Sequence, residues 1–281
     1  MKRDDSDEEE NNLMSQLTDL RLAVLIDADN APRNSIKDVM AEIAVYGTPT
    51  IKRIYGDWTT PNLASWKTIL LENAITPIQQ YAYTTGKNAT DSAMIIDAMD
   101  ILYTRKTDGF CLVSSDSDFT RLATRLREAG MKVIGIGEKK TPMPFIVACD
   151  KFIYVEIIRA AAEKDLEQTK TKAKLKKKAE QAAEAAHNHS EPDPADHVPN
   201  EMVQLIASSV ADIADEDGYA FMGELGNLLL KKQPDFDPRN YGFQKLTQLM
   251  KSLDRFEIDV RQTNSPHIKH IFLKDKQVKP E

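Results

Sequence analysis

The sequence predicts an α/β fold in which helices flank a Rossmann-like parallel sheet, followed by a small C-terminal winged-helix domain. Between residues 21 and 155, short apolar runs alternate with longer amphipathic stretches, which is typical of successive β-α-β units. Most of the short runs are mainly apolar, as expected for parallel strands buried on both faces. After residue 199, three helical patterns precede two strand-like alternating runs, which predicts the second domain.

The elements of the first domain follow one another in a regular order. The predicted strands are Leu22–Ile26, Thr50–Tyr55, Ile75–Tyr81, Phe110–Val113, Lys132–Ile136 and Phe152–Val155, and the predicted helices are Ser35–Tyr46, Asn62–Glu72, Asp91–Tyr103 and Phe119–Ala129. Gly47 and Gly130 directly follow two of these helices, so both are predicted to end them in a left-handed conformation. This domain is expected to span residues 21–155.

Residues 156–198 form a predicted connection between the domains. Their first part is rich in Ala, Lys and Glu and has no Gly or Pro as far as Ala186, which favours a long exposed helix. Its centre, Lys170–Lys178, holds six lysines, and these fit either a solvated spacer or a stretch that contacts phosphates. The segment His187–Pro199 contains three prolines and is predicted to be a flexible linker.

The second domain is predicted over residues 199–276. Helices are expected at Met202–Ala214, from about Met222, and at Phe243–Leu253, and hairpin strands at Phe256–Arg261 and His267–Leu273, with a turn near Asn264–Pro266. Three helices followed by a β-hairpin are the layout of a winged helix. A hydrophobic content of 41% is sufficient for packed cores in both domains.

Charge and cysteine content restrict the environment of the protein. The net charge is -7, but residues 1–20 hold seven acids against two basic residues and are predicted to be an acidic disordered tail. The remaining chain is therefore nearly neutral, and a nucleic-acid partner is not excluded. Cys111 and Cys149 lie in apolar surroundings, which predicts buried reduced thiols and a cytoplasmic protein. No apolar run approaches the roughly 18 residues that span a bilayer, so no membrane partner is expected.

Acidic residues stand where predicted buried strands end. The first strand leads into Asp27 and Asn30, and the fourth leads into Asp116 and Asp118. Asp91 begins a predicted helix at the same edge of the sheet. In open parallel sheets, ligands bind at the carboxyl ends of the strands, so these residues are expected to converge. The side chain of Asp97, six residues after Asp91, points well away from it on a helix and is left out of the predicted site.

Clustered carboxylates predict a divalent cation. Each carboxylate raises the cost of ionising its neighbours unless a cation neutralises them. Ligands that are all oxygen atoms suit Mg²⁺ or Mn²⁺, and such an ion supports hydrolysis of a phosphodiester. The competing interpretation is structural, because an Asp after a strand often caps a helix or a turn; Asp118 before Phe119 fits that role.

Three motifs together resemble the NYN domains, including the LabA-like bacterial group, a branch of the PIN-like nucleases. They are LIDADN at residues 25–30, GKNATD at residues 86–91 and VSSDSDF at residues 113–119. The resemblance implies a Mg²⁺ or Mn²⁺ site with Asp27 and Asp116 as central ligands, completed by Asp91 and Asp118 directly or through water. It further implies that Asn30 orients a ligand or phosphate. Two residues, Lys87 and Ser115, are weaker candidates for substrate contact.

The C-terminal unit resembles an OST-HTH, or LOTUS, domain. The resemblance is carried by GYAFMGELG at residues 218–226, PDFDPRNYGF at residues 234–243 and KLTQLMKSL at residues 245–253. It implies RNA binding, to single-stranded or structured RNA, with Tyr241 and Lys245 as candidate contacts, since aromatic residues beside lysines can stack on bases. Phe243 is expected to fill the core instead. The sequence leaves a homo-oligomer open.

Three other functions are compatible with parts of the sequence. Asp27 and Asp29 imitate the DxD signature of haloacid-dehalogenase-type phosphatases, in which they would act as nucleophile and general acid. A catalytically silent RNA-binding protein would keep the same fold and acids. Gly135 and Gly137 weakly imitate a dinucleotide-binding loop but lack its third glycine. The sequence favours the metal-dependent ribonuclease over all three.

Overall fold

A computed structural model describes residues 20–81, 89–163, 198–262 and 269–277. The chain divides into two compact units, residues 1–159 and residues 160–281, and each is described by itself. Several sequence predictions concern residues outside the described ranges: the acidic tail, Lys87, the stretch Lys170–Lys178, nearly all of the linker from His187 and the turn near Asn264–Pro266. In the described part of the chain, no helix has the length and apolar character needed to cross a membrane.

The first unit contains a six-stranded parallel sheet in the order β3-β2-β1-β4-β5-β6. Its strands are β1 (Arg21–Asp27), β2 (Thr48–Gly56), β3 (Thr76–Gln79), β4 (Gly109–Val113), β5 (Lys132–Gly137) and β6 (Lys151–Tyr154). Its helices are α1 (Ile36–Ile43), α2 (Lys67–Asn73), α3 (Ala89–Thr104), α4 (Thr120–Glu128), α5 (Met143–Ala148) and α6, described over residues 155–163. All strand pairs are parallel, as the sequence predicts.

The central strands β1, β4 and β5 are buried on both faces, which explains their apolar sequences, whereas the edge strand β3 is mostly exposed. Along β1, Leu22, Val24 and Ile26 pack into one hydrophobic core, while Ala23 and Leu25 pack into the core on the other face. All five are fully buried. Because the strand order runs outward in both directions from the neighbouring pair β1 and β4, a crevice is expected between their carboxyl ends.

Two glycines were predicted to end helices, and only one does so. Gly130 follows α4 with φ +81°, in the left-handed region, so that prediction is confirmed. The prediction for Gly47 is wrong, because α1 already ends at Ile43 and Gly47 is not in the left-handed region. A Cβ atom on Gly47 would lie 2.3 Å from the backbone oxygen of Leu20. The glycine is therefore needed for the close approach of two chain segments.

Helix α5 is absent from the sequence prediction, and the reason is visible in its composition. It is six residues long, contains Pro144 and begins after Pro142, and proline normally weakens the assignment of a helix. Phe145 and Ile146 are nevertheless buried in the core against α4. Tertiary packing thus stabilises a helix whose intrinsic propensity is low.

Asp97 connects α3 to the sheet. The side chains of Arg53 and Tyr55, both on β2, donate hydrogen bonds to its carboxylate, and Tyr55 is only 1% exposed. Together with the burial of the ring, the Asp97 charge raises the pKa of Tyr55 far above its usual range. The sequence prediction that Asp97 lies outside the acidic site is consistent with this structural role.

We expect Asp97→Ala to destabilise the first unit by about 2 kcal/mol, because it leaves a buried hydroxyl and a partly buried guanidinium without their acceptor. Urea unfolding followed by circular dichroism measures the effect. Asp100→Ala, on an exposed position of the same helix, is the matched control and should change stability little. Equal stability of both variants would contradict the anchoring role of Asp97.

The second unit combines three helices with a three-stranded antiparallel sheet in the order β7-β9-β8. Its elements are α7 (Asn200–Ile213), β7 (Tyr219–Phe221), α8 (Met222–Lys232), α9 (Leu246–Ser252), β8 (Phe256–Gln262) and β9 (Lys269–Asp275). Three helices and a closing hairpin confirm the predicted layout. Strand β7 is missing from the sequence prediction, since three residues directly before a helix show no alternation.

Candidate metal centre

The acidic residues lie together at the carboxyl edge of the sheet. Asp27 is the last residue of β1. Asp116 and Asp118 follow the neighbouring strand β4, in a 3₁₀ turn that the fully buried Phe119 anchors to the core. Asp91 lies in the first turn of α3. Three elements that are distant in sequence therefore bring carboxylates to the crevice between β1 and β4.

Asp91, Asp116 and Asp118 form a group that could hold a metal ion. One carboxylate oxygen from each lies within 4.8 Å of those from the other two. Asp91 is buried, Asp116 is half-buried and Asp118 is exposed, so the group opens toward solvent on one side. The backbone N–H of Asp118 donates to Oδ1 of Asp116 at 2.9 Å, which makes Asp116 both a turn cap and a member of the group.

The electrostatics of Asp91 show that these carboxylates share one environment. Its pKa is raised to about 6, chiefly because burial disfavours the charged form and then because Asp27, Asp116 and Asp118 add negative charge nearby. The first turn of α3 offers the positive end of the helix dipole, which partly offsets this repulsion. A divalent cation would remove the remaining cost of ionising Asp91.

Neighbouring hydrogen-bond donors hold the Asp27 carboxylate, which is not part of the group formed by Asp91, Asp116 and Asp118. It is 2% exposed and accepts hydrogen bonds from the backbone N–H of Asp29 at 3.0 Å, from Nδ2 of Asn30 at 2.8 Å and from the Ser114 hydroxyl at 2.8 Å. The Ser114 hydroxyl in turn accepts from the backbone N–H of Asp116 at 3.0 Å. Asp27 is thus linked to the group through Ser114.

Ser114 is a site residue that the sequence prediction missed. It is 1% exposed and joins the ends of β1 and β4 by the two hydrogen bonds described above. The only sequence signal was its position directly after a buried strand and before the acidic motif. The adjacent Ser115, predicted to touch substrate, accepts a hydrogen bond at its hydroxyl from the backbone N–H of Glu138 at 2.9 Å; its contact with substrate stays a prediction.

Asn30 and Asp29 complete the first loop. Asn30, predicted to orient a ligand or phosphate, orients Asp27 through its side-chain amide. Asp29 is exposed on one side only: the surrounding protein withholds water from its carboxyl group and, with the charge of Asp27, raises its pKa, while a hydrogen bond with the Thr90 side chain lowers it. The Thr90 contact ties the start of α3, and with it Asp91, to the end of β1.

The donor set suits a hard divalent cation. All three grouped ligands are carboxylates, and no other group of three or more His, Cys, Asp or Glu side chains with this proximity is found in the described ranges. Carboxylate oxygens with an open side for water are the surroundings that Mg²⁺ and Mn²⁺ favour. The residues present therefore fit the cation that the sequence predicts.

In the second unit, the two candidate RNA contacts differ in exposure. Lys245 is exposed at the start of α9. Tyr241 is half-buried against the core, with its ring 6.3 Å from that of Phe236, and burial raises its pKa to about 12. Phe243 packs against the same core, in agreement with the role the sequence predicted for it.

Two other features of the first unit do not indicate a site for chemistry. Gly135 and Gly137 lie within β5, and a Cβ on either would lie less than 3.0 Å from packed neighbours such as Phe152 or the Ser114 backbone oxygen. Their role is close packing, which argues against a dinucleotide loop. A cavity of about 690 Å³ adjoins Asp108 and Lys132, at the opposite edge of the sheet, where Asp108 is already paired with Arg21.

This fold and its acidic edge match a known class of domain. The model of the NYN domain family matches residues 21–158, so the first unit contains an NYN domain, a type of PIN-like nuclease domain. The model of the OST-HTH/LOTUS domain matches residues 195–268. The chain therefore carries an NYN domain followed by an OST-HTH/LOTUS domain, in the order that the sequence predicts; the exact domain boundaries stay predictions.

Solved structures and curated proteins add little to this assignment. A crystal structure of a protein of unknown function from Vibrio parahaemolyticus is 20% identical, with a TM-score of 0.40, over 48% of this chain and 91% of that one. A solution structure of an uncharacterised protein from Nitrosomonas europaea is 32% identical, with a TM-score of 0.26, over 34% of this chain and 95% of that one. No curated protein matches the chain.

Proposed function

We propose that this protein is a metal-dependent ribonuclease that hydrolyses RNA phosphodiester bonds at the group formed by Asp91, Asp116 and Asp118. The observation that carries the proposal is the convergence of these three carboxylate oxygens within 4.8 Å, in a crevice of an NYN domain. The domain class supplies the reaction type, and the acidic group supplies a site at which that reaction could occur.

Each residue has a distinct task in this proposal. A Mg²⁺ or Mn²⁺ ion, when bound, would stabilise charge on the phosphate and lower the pKa of an attacking water. Asp91, Asp116 and Asp118 hold the ion with their carboxylates. Asp27 keeps the end of β1 in place through its three donors and adds negative charge beside Asp91. The resemblance makes Asp27 a central ligand, and because its oxygens lie outside the group of three, we propose that it reaches the ion through water.

The OST-HTH/LOTUS domain supports RNA as the substrate. Lysines 231, 245 and 251 are exposed on or beside its helices α8 and α9, whereas Lys232 pairs with Asp212 and Arg239 with Asp237. Exposed lysines contribute to nucleic-acid affinity by releasing counterions. We propose that Lys245 contacts RNA directly and that Tyr241, half-buried as it is, contributes through its exposed edge.

The test is cleavage of single-stranded RNA, structured RNA and single-stranded DNA by the full chain with Mn²⁺, Mg²⁺ or chelator. We expect RNA to be cleaved only with metal, and Asp116→Asn to lower the rate on the order of 100-fold or more, since the ion contributes several kcal/mol. Asp100→Asn makes the same change of charge at an exposed position of α3 and should keep wild-type activity. Equal products from wild type and Asp116→Asn would refute the proposal.

A second variant distinguishes the proposed nuclease from a haloacid-dehalogenase-type phosphatase. In a phosphatase of that type Asp29 would be the general acid, so Asp29→Asn would abolish hydrolysis of a phosphomonoester. In the proposed nuclease, the contribution of Asp29 to Asp27 is made by its backbone N–H, so Asp29→Asn should retain most RNA cleavage. The measurement is the rate of both reactions for the same preparation of protein.

A further inference from the structure

Two lysines follow the acidic crevice on the β5 side. Lys139 and Lys140 are exposed in the loop between β5 and α5. The residue before them, Glu138, donates its backbone N–H to the Ser115 hydroxyl at 2.9 Å, and Ser115 directly precedes Asp116. Because neighbouring Cα atoms are about 3.8 Å apart, the two lysines begin within a few residue lengths of the proposed metal group.

The loop that carries these lysines has a defined conformation. The backbone N–H and the hydroxyl of Thr141 both donate to the backbone oxygen of Glu138, at 2.9 and 2.6 Å, and Thr141 is 5% exposed. Glu156, in the first turn of α6, accepts the backbone N–H of Lys139 at 3.0 Å. The backbone of the turn is therefore fixed, while the side chains of Lys139 and Lys140 are exposed.

Two arginines continue this cationic surface toward β1. Arg159 lies one helical turn after Glu156 and is exposed, and its Nε donates to the Ser35 hydroxyl at 2.6 Å. Ser35 ends the short 3₁₀ helix that contains Arg33, which is exposed as well. We name the set Arg33, Lys139, Lys140 and Arg159 the basic rim. Hydrogen bonds connect these segments in turn, from Ser115 beside the acidic group to the 3₁₀ helix that follows β1.

The acidic residues beside the basic rim do not neutralise its positive charge. Glu138 pairs with Lys140 at 2.7 Å, but the lysine side chain is 74% exposed, and ion pairs this exposed are weak. The Glu156 carboxylate accepts a hydrogen bond from the backbone N–H of Lys139. The acidic group itself repels a polyanion until a cation is bound, and the whole chain has a net charge of -7. A negatively charged strand therefore needs local cations of this kind to approach the crevice.

We propose that the basic rim binds the phosphate backbone of single-stranded RNA and leads it to the acidic group; this inference rests on the proposed function. Charge complementarity identifies the occupant, because four exposed cations on hydrogen-bonded neighbouring segments can contact several phosphates of one strand. Backbone contacts position the strand without reading its sequence. The rim therefore sets affinity and salt dependence, and base identity plays no part in its contribution.

The experiment measures fluorescence anisotropy of a fluorescein-labelled oligouridylate with the full chain at several salt concentrations. All proteins carry Asp116→Asn, so that the RNA stays intact. For single strands, each phosphate contact contributes about 0.7 to the slope of log affinity against log salt. Lys139→Gln and Arg159→Gln should each lower the slope by about that amount and weaken binding several-fold at low salt.

Controls separate a local effect from a general loss of charge. Lys106→Gln removes an exposed lysine just before β4, at the opposite edge of the sheet, and should leave affinity and slope unchanged. Lys139→Arg and Arg159→Lys keep the charge and should restore most of the affinity. Thermal melting of each variant checks that it is folded, since Arg159→Gln also removes the hydrogen bond to Ser35.

The outcomes distinguish this inference from the proposed function. If Lys139→Gln and Arg159→Gln bind RNA as Lys106→Gln does, the basic rim is refuted, whatever the cleavage assay shows. If the rim variants lose affinity but the chain without Asp116→Asn does not cleave RNA with any metal, the proposed function fails and the rim remains an RNA-binding surface. Loss of affinity together with metal-dependent cleavage supports both.

Discussion

Asp91→Asn is expected to abolish RNA cleavage and, at the same time, to stabilise the metal-free protein. The activity loss is on the order of 100-fold or more, because the variant removes a proposed ligand of the ion. The stability gain follows from the raised pKa of Asp91, about 6 in the folded protein. Folding forces this carboxylate into a buried place beside other acids, and an amide avoids that cost.

The direction of the pH dependence follows from the pKa of Asp91, which is about 6 in the folded chain and about 4 in the unfolded chain. Below about pH 4, Asp91 is protonated in both the folded and the unfolded chain, so the wild type and Asp91→Asn should be equally stable with respect to this group. Between about pH 4 and pH 6 the unfolded chain ionises first, and the wild type loses stability relative to the variant. Above pH 6 the difference is constant.

The expected gain at neutral pH is about 1 to 2 kcal/mol. Raising the pKa of Asp91 to about 6 corresponds to roughly 3 kcal/mol, but the crevice is open on the Asp118 side, so solvent screening reduces this free energy. Thermal or urea unfolding in chelator, at pH 4 and pH 7.5, measures the difference. Asp100→Asn is the control with the same charge change on an exposed part of α3. A variant less stable than wild type at pH 7.5 would contradict this account.

Added metal should stabilise the wild type more than Asp91→Asn. Mn²⁺ bound to the acidic group stabilises the folded state by mass action, so it should raise the melting temperature of the wild type and have a smaller effect on Asp91→Asn. This measurement does not depend on finding the right RNA. Equal shifts for both proteins would place the bound ion somewhere other than Asp91.

The sheet was predictable from sequence because its signals are local and repeated. Each predicted strand contains several apolar residues, and a helical pattern follows all of them except β5, so the sequence predicts β1 to β6. The predicted boundaries erred where tertiary contacts decide. Helix α1 ends at Ile43 rather than Tyr46, and Gly47 serves a close approach to Leu20, which no local pattern encodes.

The acidic site was predictable because parallel strands bring their carboxyl ends to one edge. That rule predicts that Asp27, Asp91, Asp116 and Asp118 lie near one another. It could not distinguish which carboxylates face each other, because side-chain hydrogen bonds decide that. Three donors hold the buried Asp27, while the oxygens of the other three converge. Whether Asp27 is a ligand stays a prediction, and Ser114 could not be singled out from its neighbours in the motif.

Asp27→Asn is expected to lower both stability and activity, in contrast to Asp91→Asn. Both carboxylate oxygens of Asp27 accept hydrogen bonds, from the Asp29 backbone N–H on one side and from Asn30 and Ser114 on the other. An amide presents a donor to one side whichever way it is turned. At least one buried donor loses its acceptor, which costs about 1 to 3 kcal/mol.

The activity of Asp27→Asn should fall on the order of 10- to 100-fold, the usual effect of disturbing residues that orient metal ligands. Ser114→Ala makes the origin of this loss testable. It removes the link between Asp27 and the Asp116 backbone while keeping every carboxylate, so it should weaken Mn²⁺ binding by less than Asp27→Asn does. Isothermal titration of Mn²⁺ into both variants gives the comparison. If Asp27 and Asp116 were independent, Ser114→Ala would bind Mn²⁺ as tightly as the wild type, and the hydrogen-bonded link between the two strand ends would have no part in forming the site.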